Sequence, residues 1–347
     1  METIVLRRVL LFVCIAFCVQ TTQSAKACLW DRDTLRDELE NKSSIYDVVM
    51  GQFAHHGKAY YEARVKKLWG RQDLTFLEKN DLAVALIRLE HFDKAENILL
   101  ILDKEKEGKV YEVKSNLGIL YKKQGDYGKA ADYIKEALAL KPEGHMGLGD
   151  WYLKRIEWDR DRKKVIFPEN NFLGEPYKKG DGKFDVYPGS KMSEENKERA
   201  NYLVKLILND REFADAYVVF GDVLLKSGEL HLAMRAYQRA QHLDHPNKNE
   251  VQRRIDAVLF HWKGGLYDVT KLSTVEKGRI SQKNAFSAES QYIDKWHASF
   301  DAAEAALVKK GEFPGFTQTI SNMSKNKYYP TKLKKLQSVQ LEALIAE

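Results

Sequence analysis

The sequence predicts an all-α fold: a right-handed α-solenoid of helix-turn-helix repeats, with helical caps and one long loop insertion. Three observations predict it. A 34-residue unit at 111–144 carries apolar and small residues at helical spacing, the same residue types return in register along the chain, and Gly, Asp and Pro stand at the turns. The 347 residues are 44% hydrophobic and 31% charged, which is enough apolar material for a core if the helices are amphipathic.

In chain order, residues 1–27 differ from the rest. Arg7 and Arg8 precede an apolar run from Val9 to Val19, and the small, polar stretch Gln20–Ala27 follows. That order is the one of a secretory signal, with cleavage after Ser24 or Ala27. The run falls short of the roughly 20 apolar residues of a membrane span, and a retained anchor is the alternative. Cys14 and Cys18 leave with the signal, so Cys28 alone of the three cysteines remains and no internal disulfide forms. A lipid on Cys28 is the alternative to a plain cysteine, although Lys26 fits a lipoprotein signal poorly. Removing 1–27 leaves 53 basic and 49 acidic residues, a net charge of +4, too balanced for a nucleic-acid partner. No later block is long and apolar enough to span a membrane.

Residues 28–75 form an N-terminal helical cap, with helices in SIYDVVMGQFAHH and KAYYEARVKKLW. The first unit, 76–109, opens on a Thr75–Glu78 capping box and places Leu82, Ala83, Leu86, Ala95, Leu99 and Leu102 inward. In the second unit, 111–144, Leu117, Gly118 and Tyr121 share one helix face, and Ala130, Ile134 and Ala137 face them from the next helix. Gly118 and Ala130 mark the closest helix approach, because small side chains admit the neighbouring ridge. Gly125 ends the first helix without a Cβ penalty and Asp126 caps the second.

The key alanines, Ala95, Ala130 and Ala233, are separated by 35 and then 103 residues, so a further unit belongs at 142–213. Its helices are MGLGDWYLKRIEW, with Leu148, Gly149 and Tyr152 in register, and SEENKERANYLVKLILND, with Ala200 and Val204. An insertion rich in Gly, Pro, Asn and charge, 159–192, splits them. The fourth unit, 214–246, carries Phe220, Gly221, Leu224, Gly228, Ala233, Tyr237 and Ala240, and closes on Pro246. A degenerate unit follows at 247–262. Region 263–347 supplies helices at Ser287–Lys310 and Thr331–Ala346, which cap the open end of the stack.

The unit at 111–144 resembles the tetratricopeptide (TPR) consensus in residue types and in length. The start ACLWDRDTLRDEL, YYEARVKKL and the insertion-bearing repeat resemble exported bacterial TPR proteins with no assigned activity. The resemblance implies an exported, periplasmic or secreted scaffold that holds a protein or peptide in a concave groove lined by the first helix of each pair. By position the groove residues are Asn80, Val84, Ser115, Ile119, Met146, Asp150, Trp151, Val218 and Asp222. Apart from Asn80, the Lys and Asn residues with which family members clamp a C-terminal carboxylate are missing. An envelope structural or glycan-contacting protein is the alternative.

Nothing in the pattern calls for catalytic, cofactor or metal residues. His55 and His56 are adjacent, so on a helix they point apart, and no third ligand is spaced nearby. Gly147–Trp151 holds a fragment of a phosphate-binding glycine pattern without its strand or third glycine. The thirteenth position of the four units is Arg88, Lys123, Lys154 and Lys226, a basic column explained by the negative ends of the helices. Trp151, Tyr152 and Trp158 cluster beside the insertion, where packing against the loop competes with ligand anchoring.

Overall fold

The computed structural model describes residues 43, 45–144, 147–162, 169–177, 192–262 and 272–324. The signal at 1–27, Cys28, Met146, insertion residues 163–168 and 178–191, and the C-terminal helix at 331–346 lie outside the described residues. The described residues form thirteen helices and no strand. One isolated bridge joins Asn170 to Pro176. Among them no helix is long and apolar enough to cross a membrane.

α1 (Ile45–Met50) and α2 (Lys58–Leu68) precede the array. The first pair is α3 (Phe76–Arg88) and α4 (Phe92–Glu105), and the second is α5 (Tyr111–Gln124) and α6 (Tyr127–Leu140). α7 (Gly149–Arg162) and α8 (Glu194–Asn209) flank the insertion, and α9 (Ala214–Lys226) pairs with α10 (Leu230–His242). α11 (Lys248–Trp262), α12 (Leu272–Lys309) and α13 (Phe316–Ser324) complete the order.

Local chemistry sets these boundaries. The Thr75 hydroxyl accepts from the Glu78 amide at 3.3 Å while the Glu78 carboxylate accepts from the Thr75 amide at 2.9 Å, a complete capping box. Gly125 turns the chain out of α5 with φ +83°, and the Asp126 carboxylate accepts from the Lys129 amide at 3.1 Å to start α6. A Cβ at Gly118 would lie 2.7 Å from Ile134 and 3.2 Å from the Ala130 carbonyl, so the pair packs as the small residues require. Gly221 likewise faces Tyr237 of its own second helix. In the split unit Gly149 faces Leu138 of the preceding pair instead, and Trp151 stacks on Tyr202 of α8 at 5.3 Å. With 31 residues between α7 and α8, no short turn forces the two helices together.

In the first two pairs the two helices are buried differently. α4 buries only Ala95, Leu99 and Leu102, and α6 only Ala130, Ala131, Ile134 and Ala137, a single stripe each. α3 buries every residue from Asn80 to Ile87, α5 every residue from Val113 to Lys122, and α9 every residue from Asp215 to Gly221. A helix buried all round is interior, so α3, α5 and α9 lie inside, whereas α7 buries only Tyr152, Arg155, Ile156 and Asp159.

The N-terminal segment and α12 bridge the two ends of the array. α2 packs on α3, the start of the array, and α12 packs on α2 as well as on α10 and α11 at its far end. α1 packs on α8 and α10. The expectation of one cap at each open end therefore gives way to flanking elements that pack on each other as well as on the array, which leaves less core in water. The helix expected over Ser44–His56 also stops early. Gly51, at φ +74°, ends α1 after Met50, and residues 51–57 continue as a non-helical segment that is buried throughout. α12 begins at Leu272, fifteen residues before its expected start.

Candidate functional site

The predicted groove lies inside the protein. Val84, Ile119 and Val218 belong to one continuous apolar core with Ile45, Val48, Val49, Met50 and Phe53 of the N-terminal segment. Asn80 is buried and accepts a hydrogen bond from Asn116 of α5 at 2.9 Å, and Ser115 is buried beside it in the chain. Asp222 takes both Arg254 Nε (2.8 Å) and Nη2 (3.0 Å) and accepts from the Tyr237 hydroxyl at 2.7 Å. It joins α9, α10 and α11. Of the described residues assigned to the groove, Asp150 is exposed and Trp151 and Asp222 are half-buried, and the first two lie at the insertion.

Two acidic residues organise that region. Asp215, at the start of α9, is fully buried and gathers three donors: the Phe172 amide at 2.6 Å, the Tyr177 hydroxyl at 2.5 Å and His245 Nε2 at 3.0 Å. The Asn247 amide donates to His245 Nδ1 at 3.1 Å, so the ring proton sits on Nε2 and points at the carboxylate. Burial, followed by the Asp215 charge, pushes the Tyr177 phenol far above its ordinary range, so it remains a donor. The Tyr177 carbonyl in turn accepts from Arg253 (3.0 Å) and Arg254 (3.3 Å). Phe172 and Tyr177 belong to the insertion, so a buried carboxylate ties the described part of that loop to the array.

Asp210, at the end of α8, is the second acidic centre. It is fully buried and ion-paired with Arg155 of α7 and with Lys122 of α5 at 3.5 Å. The Arg155 guanidinium lies 4.0 Å from the centre of the Phe213 ring and pairs with Asp159 at 3.4 Å. Burial acts to raise the Asp159 carboxyl, but Arg155, Lys122 and Arg162 outweigh it and hold it below the ordinary range.

The aromatic cluster packs the loop. Trp158 donates its indole N–H to the Asn170 carbonyl at 3.1 Å and meets Phe213 edge-on at 5.7 Å, and Trp151 reaches Phe172 at 5.9 Å. The basic column does not act as one stripe: Lys154 is exposed, Arg88 lies over the Tyr61 ring, and Lys123 is half-buried. Burial, with Arg88 and Lys122 nearby, pulls the Lys123 ammonium down to about 7. His56 and His55 are both buried, and His56 Nδ1 lies 2.6 Å from Glu304 of α12, a partner 248 residues away that no local spacing announces. Among the described residues no group of three or more His, Cys, Asp and Glu stands together as metal ligands would.

Successive antiparallel helix pairs stacked into a continuous core define a helical repeat protein. The family model for the tetratricopeptide repeat matches residues 111–143, so the α5–α6 pair is similar to one such repeat. No curated protein matches the chain.

Replacing Asp215 by Ala leaves three donors facing an apolar gap. The expected cost is about 3 kcal/mol in urea denaturation, with protease cleavage appearing within 169–177 before the array unfolds. For Lys123 the unfolded chain keeps its proton up to about 10.5 while the folded chain loses it near 7. Between those values the unfolded state binds more protons, so Lys123 makes stability rise with pH from about 7 to about 10.5. Lys123→Met should flatten that rise and add about 1 kcal/mol at pH 7, measured by urea titrations at pH 7 and 10.

Proposed function

We propose that the chain is an exported scaffold that binds a protein or peptide at the rim formed by the first turn of α7 and the insertion, without catalysing a reaction. The observation that carries this reading is the Asp215 anchor, because it holds the described insertion residues against the array beside exposed Asp150 and half-buried Trp151. Residues 169–177, held in advance, lose little entropy when a partner arrives. Trp151 has the large, partly apolar ring that dominates binding energy in many interfaces. Face-lining residues of the first helices are committed to the core, so a rim site replaces the groove as the place of contact.

Export is supported by the Arg7–Arg8 pair, the apolar run Val9–Val19 and the small-residue stretch up to Ala27. A periplasmic or secreted compartment follows from it.

The test is affinity capture from the exported fraction with wild-type protein and with the Asp150→Lys/Trp151→Ala double variant. A stoichiometric protein recovered by the wild type and reduced at least tenfold with the variant supports the reading. Equal recovery by both removes the rim site, and binding to cell-wall glycan with no protein recovered favours the envelope alternative.

A further inference from the structure

Two arginines converge where the N-terminal segment meets α12, and neither has an acidic partner there. Arg239 of α10 is 6% exposed and lays its guanidinium against Gly51, 3.1 Å from where a Cβ would stand. Its Nε is buried without a hydrogen-bond acceptor. Arg211, from the turn between α8 and α9, places Nη1 2.7 Å from Nδ1 and 3.1 Å from Nε2 of His297 in α12. Near-equal distances to both ring nitrogens put the guanidinium over the ring and off its lone pairs, so its N–H groups are well aligned to neither. His297 Nε2 lies 2.9 Å from the Gly51 carbonyl oxygen, and the Tyr217 hydroxyl donates to the Arg211 carbonyl at 2.9 Å. These contacts bring Gly51, Arg211, Tyr217, Arg239 and His297 together from separate segments.

The charge at this point is unbalanced. Arg64, Arg155 and Arg254, buried as deeply as Arg239, each hold a carboxylate, from Asp81, Asp210 and Asp222 in turn. Among the described residues Arg211 and Arg239 hold none. The Tyr217 phenol beside Arg239 brings no charge, because burial keeps it above its ordinary range. Glu212, next in the chain, and Asp301 of α12 act on Arg211 through space without pairing with it. A guanidinium does not give up its proton, so the fold carries buried positive charge that an anion would offset.

We propose that Arg211 and Arg239 form a binding site for a divalent oxyanion of the phosphate type, held by N–H groups of both guanidiniums. The arginine fork matches phosphate and carboxylate oxygens alike, and two positive charges favour a dianion over a monocarboxylate. Arg211 keeps part of its surface in water and admits the ion, and Arg239 forms the floor. The bound anion ties the α8–α9 turn to α10 beside the Gly51 and His297 contact, so it stabilises the packing of α12 on the N-terminal segment. This site is separate from the rim at the insertion and does not rest on the scaffold reading.

Melting of the full chain is followed by calorimetry at pH 7.5 in inorganic phosphate, with sodium chloride and sodium acetate at matched ionic strength as controls. Phosphate at about 10 mM should raise the wild-type melting temperature by about 4 °C over chloride, and acetate should give less than about half of that. Arg239→Gln should abolish the phosphate shift. Arg211→Lys keeps a charge but lacks the fork, and should weaken the apparent phosphate affinity about tenfold. A wild type that responds to phosphate no more than to chloride overturns the site, as does a full phosphate shift in either variant. Acetate equal to phosphate would overturn the assignment to a divalent oxyanion. If Arg239→Gln fails to fold, the wild type and Arg211→Lys decide alone. No protein partner enters the measurement, so its outcome is separate from that of the capture experiment.

Discussion

The buried carboxylate of Glu304 is the interaction on which the closed form of this molecule depends. Glu304 and His56 are both withdrawn from water, and the second oxygen of the carboxylate is committed to the Gly57 amide. A buried acid is tolerated only with such partners, and removing one typically costs 3–5 kcal/mol. The ring of His56 is fixed from its other side by stacking on Tyr60 at 3.7 Å. The contact joins α12, beyond the last repeat, to the segment before the first one, so the stack returns on itself. Burial of α3, α5 and α9 on nearly every side accompanies that closure.

Closure changes what the repeats do. In an open solenoid the first helices line an accessible surface, and here Val84, Ile119 and Val218 are core residues instead. The polar positions on the same helices turn inward as well. Asn80 serves Asn116, and Asp222 serves Arg254 and Tyr237. Accessible chemistry moves to the place where the repeat pattern is broken, the split between α7 and α8. There Asp210 and Asp215 supplement a sparse helix-to-helix contact with buried ion pairs and hydrogen bonds.

Much of the array was legible because its signals are local. The Thr75–Glu78 box, Gly125, Asp126 and the Gly118–Ala130 approach act within one unit, and each is found where its residue type requires. The alanine spacing located α7 and α8 across the insertion for the same reason. The candidate site was far less legible. Asp215 meets Tyr177 and His245 at separations of 38 and 30 residues, and Glu304 meets His56 at 248, with no periodicity linking them. Register also marked Asn80 and Ser115 as groove residues, because position in a repeat says which way a side chain points and not what lies opposite. His55 and His56 read as an idle pair for the same reason: the carboxylate that gives His56 its role comes from the other end of the chain.

A double-mutant cycle between His56→Ala and Glu304→Ala, read by urea denaturation, tests the closure directly. The account predicts a coupling energy of at least about 1.5 kcal/mol, in the upper part of the roughly 0.5–3 kcal/mol found for residues in one network. Additivity within about 0.3 kcal/mol would contradict it, because the two chain ends would then be stabilised independently.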